Sequence, residues 1–72
     1  AVMPDKVFIL QDRGDLFCLR FFHSPEAALQ WVKAAYPIHE FFLVTGGRGE
    51  SYLSEAPAKV VNPIWVVELT QP

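Results

Sequence analysis

The chain has 72 residues, of which 51% are hydrophobic, 14% aromatic and 19% charged, and its net charge at pH 7 is −2. A chain of this length forms one domain with a small core, and a chain this apolar is not intrinsically disordered. Its six Lys and Arg residues are scattered, whereas domains that bind nucleic-acid backbones concentrate positive charge on one face. We therefore expect residues 1–72 to form a single α+β binding domain that makes no direct contact with nucleic acid.

Two features bear on the compartment in which the chain works. The single cysteine, Cys18, excludes an internal disulfide and favours a reducing environment. The longest uninterrupted apolar runs have four residues, too few for a membrane span or for the core of a signal peptide. We expect a cytoplasmic protein without a membrane segment or a lipid anchor.

The first third of the chain has the pattern of a β-hairpin. Residues 6–11 and 16–22 are rich in β-branched and aromatic side chains, which favour strands. Residues 12–15 between them supply turn chemistry, with Gly14 as the position of positive φ.

A helix is predicted from residue 25 to about residue 36. Ser24 can accept a hydrogen bond from an unpaired backbone N–H group, and Pro25 has no N–H group to leave unpaired at the first helical position. Pro37 ends the helix, because it lacks a donor and disfavours helical geometry in the residue before it. One apolar stripe follows from the helical period, formed by Ala28, Trp31, Val32, Ala35 and Tyr36.

The second half of the chain predicts further strands. Residues 40–45 and 64–69 have the composition of strands, residues 46–49 that of a flexible turn, and a short strand over residues 51–53 is plausible. The predicted fold is α+β, with a single small, mostly antiparallel sheet, one helix across one face and the order β-β-α-β-β.

Strand residues alternate between the two faces of a sheet, so each predicted strand can be divided by parity. One set is wholly apolar and is predicted to form the core under the helix: Phe8, Leu10, Phe17, Leu19, Phe21, Phe41, Leu43, Trp65, Val67 and Leu69. The other set mixes apolar and charged side chains and is predicted to face away from the helix: Val7, Ile9, Gln11, Leu16, Cys18, Arg20, Phe22, Glu40, Phe42, Val44, Ile64, Val66 and Glu68.

One helix covers one face only, so the second set predicts an exposed apolar surface for a protein partner. The partner-binding residues predicted from it are Val7, Ile9, Arg20, Phe22, Phe42, Val44, Val66 and Glu68. On this assignment Phe42→Asp or Val66→Asp removes partner binding and leaves the fold intact, whereas Leu19→Asp unfolds the domain. The alternative is that residues 46–63 fold back over the second face and make it a second core.

Acidic residues gather near the predicted turns: Asp5, Asp12, Asp15, Glu50 and Glu55. Such residues are usually a solvated rim, and the sharper interpretation is that they steer the domain towards a basic protein surface.

No motif predicts catalysis, a metal site or a cofactor. Residues 46–49 are Gly-rich but lack the Lys and Ser/Thr of a P-loop and the helix of a dinucleotide site. His23 and His39 lack the spacing of metal ligands, and nothing adjacent in sequence lowers the pKa of Cys18. Ser24 is better explained as a helix cap than as a nucleophile.

The layout of residues 6–45 resembles that of small bacteriophage transcription regulators that bind host RNA polymerase. The resemblance rests on a hairpin, on the helix start Ser24-Pro25-Glu26-Ala27-Ala28-Leu29 and on the strand after the helix. It implies a protein that docks on the polymerase, displaces or antagonises the sigma factor at initiation and can alter termination. It assigns no individual residue.

We therefore predict a non-catalytic protein-binding regulator, phage-encoded and acting in the host cytoplasm, that is a monomer or a weak dimer when free. The partner predicted from the resemblance is bacterial RNA polymerase. The alternatives are a self-associating structural domain and a nucleic-acid-binding domain.

Overall fold

The computed structural model describes residues 6–70, which form one helix and five strands in an α+β fold. The elements in chain order are β1 (Lys6–Asp12), β2 (Asp15–Leu16), α1 (Pro25–Ala35), β3 (Phe42–Thr45), β4 (Ser51–Ser54) and β5 (Ile64–Thr70). The α+β class with one helix is confirmed. The predicted order is wrong by one strand, because residues 51–54 form a full member of the sheet.

The five strands form one antiparallel sheet in the order β2-β1-β5-β4-β3. β5, the last strand of the chain, lies at the centre and joins the N-terminal hairpin to the β3–β4 hairpin. Its register places Val66 opposite Leu10 and Trp65 opposite Gln11. Residues directly opposite each other share a face, so this register decides which residues of β5 lie under the helix.

The helix begins as predicted. The Ser24 Oγ accepts a hydrogen bond from the Ala27 N–H at 3.1 Å, and Pro25 occupies the first turn. The α1 helix ends at Ala35, one residue before Tyr36 and two before Pro37. Ala28 and Val32 are fully buried against the sheet, so the helix covers one sheet face only.

The predicted second strand is wrong for most of its length, because β2 contains two residues and is followed by a bulge. Phe17 donates to the Leu10 carbonyl at 2.8 Å, and Phe22 pairs with Phe8 through two hydrogen bonds of 2.8 and 3.0 Å. Residues 18–21 therefore lie opposite Ile9 alone. When one strand of a pair has an odd number of residues more than its partner, the side chains after the insertion point to the opposite face of the sheet.

The bulge corrects three predicted positions. Phe22 enters the core at 7% exposure, whereas Leu19 and Phe21 are 90% and 70% exposed. The prediction that Leu19→Asp unfolds the domain is therefore wrong. The buried core lies between the helix and one sheet face and contains Phe8, Leu10, Phe22, Ala28, Val32, Phe41, Leu53, Ile64 and Val66.

Candidate protein-binding surface

The sheet face opposite the helix is apolar and carries no charged side chain in the described strands. We call it the open face. Its members follow from the register of the four strand pairs. They are Val7, Ile9, Gln11, Leu16, Phe42, Val44, Tyr52, Trp65, Val67 and Leu69, together with Ser54, which is fully buried.

Members of the open face remain accessible although they are large and apolar. Trp65 is 49% exposed and Leu16 51% exposed, and the aliphatic residues of β1 and β5 on this side are half-buried by their neighbours within the sheet. Tyr52 and Trp65 pack edge to face, with ring centroids 5.3 Å apart at an interplanar angle of 87°. This geometry is favourable for two aromatic rings, so it fixes a rigid aromatic pair at the centre of the face.

The predicted partner-binding residues divide into two groups. Val7, Ile9, Phe42 and Val44 lie on the open face, as their parity indicates. The assignment of the other four to this face is wrong. Those four are Arg20, Phe22, Val66 and Glu68.

The predicted parity of β5 is wrong: Ile64 and Val66 face the helix, whereas Trp65, Val67 and Leu69 lie on the open face. Val66 is 6% exposed and faces the helix, and Glu68 lies on the same side, opposite Phe8. The single charge at Glu68 suggested a solvent-facing set, but Glu68 is exposed near the end of the strand while Ile64 and Val66 are buried. The expectation that Val66→Asp leaves the fold intact is therefore wrong.

The bulge accounts for the other two residues. It turns Phe22 into the core, where its ring packs 5.9 Å from that of Trp31. The Arg20 guanidinium lies over the same Trp31 ring, 5.3 Å from its centroid, in a cation–π contact on the helix side. Arg20 therefore does not lie on the open face.

The bulge also enlarges the apolar surface. A shallow hollow of about 110 Å³ lies between the open face and the bulge, and its lining residues are Ile9, Leu16, Cys18, Leu19, Arg20 and Phe21. The Leu19 and Phe21 side chains are among the most exposed apolar groups in the described part of the chain. The open face and the bulge therefore adjoin, and Arg20 is the one charged residue that lines the hollow between them.

Residues 46–63 do not fold over the open face as a layer. Residues 46–50 form the β3–β4 turn, residues 51–54 are a strand, and residues 55–61 wrap around the Ser54 side chain. The Ser54 Oγ accepts from the Val61 N–H at 2.9 Å and the Ala56 N–H at 3.2 Å, and it donates to the Lys59 carbonyl. Ser54 is fully buried, so this loop covers one corner of the face and leaves Trp65 accessible.

The β3–β4 turn is closed by a carboxylate. The Glu50 side chain accepts from the Arg48 N–H at 2.7 Å and from the Tyr52 hydroxyl at 3.1 Å. Backbone hydrogen bonds from Glu50 itself and from Arg48 lower the pKa of the Glu50 carboxyl below its ordinary value. Desolvation is the largest cause that raises the pKa of the Tyr52 hydroxyl. The hydrogen bond to Glu50 and the negative charge of Glu50 raise this pKa further. The turn amide that an anion would use is thus occupied by the protein's own carboxylate.

The two side chains that were considered as nucleophiles, Ser24 and Cys18, lie at a helix cap and in the bulge. Ser24 caps α1, and Cys18 is a half-buried free thiol in the bulge. Within residues 6–70 there is no group of three or more His, Cys, Asp or Glu side chains that could hold a metal ion. In the same part of the chain, no helix combines the length and the hydropathy that crossing a bilayer requires.

Sequence reasoning missed Tyr52, Trp65, Val67 and Leu69 as members of the open face. The pairing of β5 with β1, which only the folded sheet shows, places Trp65, Val67 and Leu69 beside Gln11, Ile9 and Val7. Comparisons with protein-family models, curated proteins and solved structures give no match to this chain.

Proposed function

We propose that this chain is a non-catalytic protein-binding module that docks on its partner through the open face and the adjoining bulge. The observation that carries the proposal is an uncharged sheet face whose apolar side chains remain accessible beside Leu19 and Phe21. Interfaces are depleted of charged residues at their centres and enriched in aromatic ones, and this surface has both properties.

The size of the surface supports the same conclusion. A whole aromatic side chain has a surface of roughly 150–250 Å². Phe21 is 70% exposed and Trp65 is 49% exposed, so the two side chains together present on the order of 250 Å² of accessible surface. The largest apolar patch on a soluble monomer covers about 300–600 Å² and is often functional. With Leu16, Leu19 and the half-buried aliphatic residues added, the surface reaches the size expected of an interaction site.

In its specific form the proposal names bacterial RNA polymerase as the partner. The chain would then be a phage-encoded regulator in the host cytoplasm that competes sterically with the sigma factor at initiation, with an effect on termination as a further outcome. This form is supported by the layout of residues 6–45. Purified bacterial RNA polymerase tests it directly, because a failure of the wild-type chain to bind would remove this partner and leave the surface without one.

A second copy of the chain is the alternative occupant. No residue of the described strands places a charge on the open face, and the carboxylate that borders the face, Glu50, is held by the Tyr52 hydroxyl. Sedimentation over a wide concentration range separates the two cases. A stable dimer that Val67→Asp dissociates would identify self-association as the role of the face.

The general proposal is tested with three forms of the chain as bait in a bacterial lysate: wild type, Val67→Asp on the open face, and Ile38→Asp as a matched control. Ile38 is 93% exposed but lies in the segment after α1, outside the open face. The captured protein is then purified and its affinity for each form is measured. We expect Val67→Asp to weaken binding at least about tenfold, the effect of removing an interface hot spot, while Ile38→Asp binds as wild type. Equal affinities for all three forms would contradict the proposal.

A further inference from the structure

A cleft of about 410 Å³ lies at one end of the sheet, where the β1–β2 turn, the end of α1 and the segment before β5 meet. Four of its lining residues are aromatic: Phe17, Tyr36, Phe41 and Trp65. Phe17 and Tyr36 pack with ring centroids 5.7 Å apart. The volume falls within the range of about 300–1,000 Å³ that is usual for ligand sites. Trp65 also belongs to the open face, so the cleft is continuous with the proposed interface.

The backbone around the cleft is held in place by local hydrogen bonds. The Glu55 N–H donates to the Val61 carbonyl at 3.0 Å, and the Asn62 Nδ2 lies 3.5 Å from the Glu55 Oε1. Both contacts close the loop that is organised around Ser54. Arg13 and Asn62, which line the cleft from opposite sides, have positive φ angles of 55° and 45°. At Arg13 this conformation is the one that the two-residue β1–β2 turn requires, and asparagine adopts it more readily than most residues.

The charges at the cleft favour a cation. Asp12 and Glu55 contribute exposed carboxylates, and the C-terminal end of α1 at Tyr36 adds the partial negative charge of the helix dipole. Arg13 is the opposing charge, and His39 and Tyr36 are the other titratable side chains among the lining residues. Aromatic faces attract cations as well, so the walls and the net charge act in the same direction.

We infer that this cleft binds an arginine side chain presented by a basic segment of the protein partner. A guanidinium stacks on aromatic rings and donates to carboxylates in a fixed planar geometry, which suits walls of Tyr36 and Trp65 beside Asp12 and Glu55. A lone small cation would leave most of the volume empty, whereas a peptide segment fills it with the residues that flank the arginine. The inference rests on the proposed protein-binding function and specifies the chemistry of the partner.

The test is an NMR titration of the full chain with a short capped peptide that contains one arginine, set against the same peptide with neutral citrulline. We expect the arginine peptide to bind with a dissociation constant on the order of 1 mM, as a few exposed contacts allow, and to shift the Tyr36 and Trp65 resonances. Asp12→Asn and Glu55→Gln should each weaken binding by roughly two- to fivefold, the effect of one exposed ion pair. Arg13→Asn should strengthen it, and Asn tolerates the left-handed backbone at that position.

Equal binding of the arginine and citrulline peptides would overturn the inference, and so would Arg13→Asn weakening the complex. Binding of free arginine as tightly as the peptide would also contradict it, because the site would then recognise a small cation and no polypeptide. All three variants change exposed side chains outside the open face. If they fail to alter peptide binding while Val67→Asp still abolishes partner capture, the inference about the cleft is wrong and the proposed function stands.

Discussion

Both faces of the sheet carry large apolar side chains, but the two faces have different surroundings. Along β5, Ile64 and Val66 are 5% and 6% exposed under the helix, whereas Trp65 between them is 49% exposed on the other side. Burying such a side chain fully contributes roughly 1.5–3 kcal/mol to stability, and the helix-covered face gains this contribution at each core position. Hydropathy alone therefore does not distinguish a core face from a docking face. The element that lies on top of the face makes that distinction.

The sharpest way to break this comparison is to place a charge on each side of the same strand. Val66→Asp buries an unpaired carboxylate and should cost more than about 4 kcal/mol, enough to unfold a domain of this size. Val67→Asp places the same group on the half-buried open face and should cost about 1–2 kcal/mol, less than half of the cost at position 66. Urea denaturation followed by circular dichroism measures both. Equal losses would show that both faces are core.

A second test uses adjacent phenylalanines at the bulge. Phe22→Ala removes a core ring and should cost about 3–5 kcal/mol, whereas Phe21→Ala removes an exposed ring and should stay within about 0.5 kcal/mol. Both variants are measured by thermal or urea unfolding. A larger loss from Phe21→Ala would mean that the strand continues without a bulge and that Phe21, in place of Phe22, faces the helix.

The corner of the open face under residues 55–61 provides a third test. Ser54→Ala removes the acceptor of the Val61 and Ala56 amides and should cost about 1–3 kcal/mol, because these groups lose their partner. Hydrogen exchange at both amides should accelerate. Ser51→Ala at the other end of β4 is the matched control, and an equal effect there would show that Ser54 does not organise the loop.

The smallest expected effect concerns pH at Glu50. Its pKa is lowered in the folded chain, so its contribution is present above the ordinary glutamate pKa of about 4.3 and is lost as the pH falls through the lowered value. Tyr52 has a raised pKa, so its contribution is present below the ordinary tyrosine pKa of about 10 and is lost as the pH rises through the raised value. NMR of the Arg48 amide should show an acid step that Glu50→Gln removes. An acid step of unchanged size in that variant would assign it to another group.

Local features of the chain predict local structure well. The Ser24 cap, the turn at Gly14 with φ of 87° and the parity of β1 and β3 follow from residue types and short-range periodicity. The bulge at residues 18–21 does not, because Leu19 and Phe21 are as apolar as core residues. Whether they are buried depends on how Phe22 pairs with Phe8, a contact between distant parts of the sequence.

The candidate site shows the same limit. The sequence predicts an apolar sheet face that the helix does not cover, and four of the residues predicted for it lie there: Val7, Ile9, Phe42 and Val44. The contribution of β5 was assigned to the wrong side, because parity within a strand gives two equivalent choices and pairing with β1 decides between them. The cleft was not predicted, since its walls come from segments that only the folded sheet brings together.

The most direct test of the central claim, that the open face binds protein, is site-specific photo-cross-linking in bacterial cells. A photoreactive phenylalanine analogue replaces Phe42 on the open face or, as a control, the exposed Ile38 outside it. The account predicts a discrete cross-linked protein, either a partner or a second copy, from position 42 and none from position 38. The absence of any product at position 42, or the same products from both positions, would contradict it.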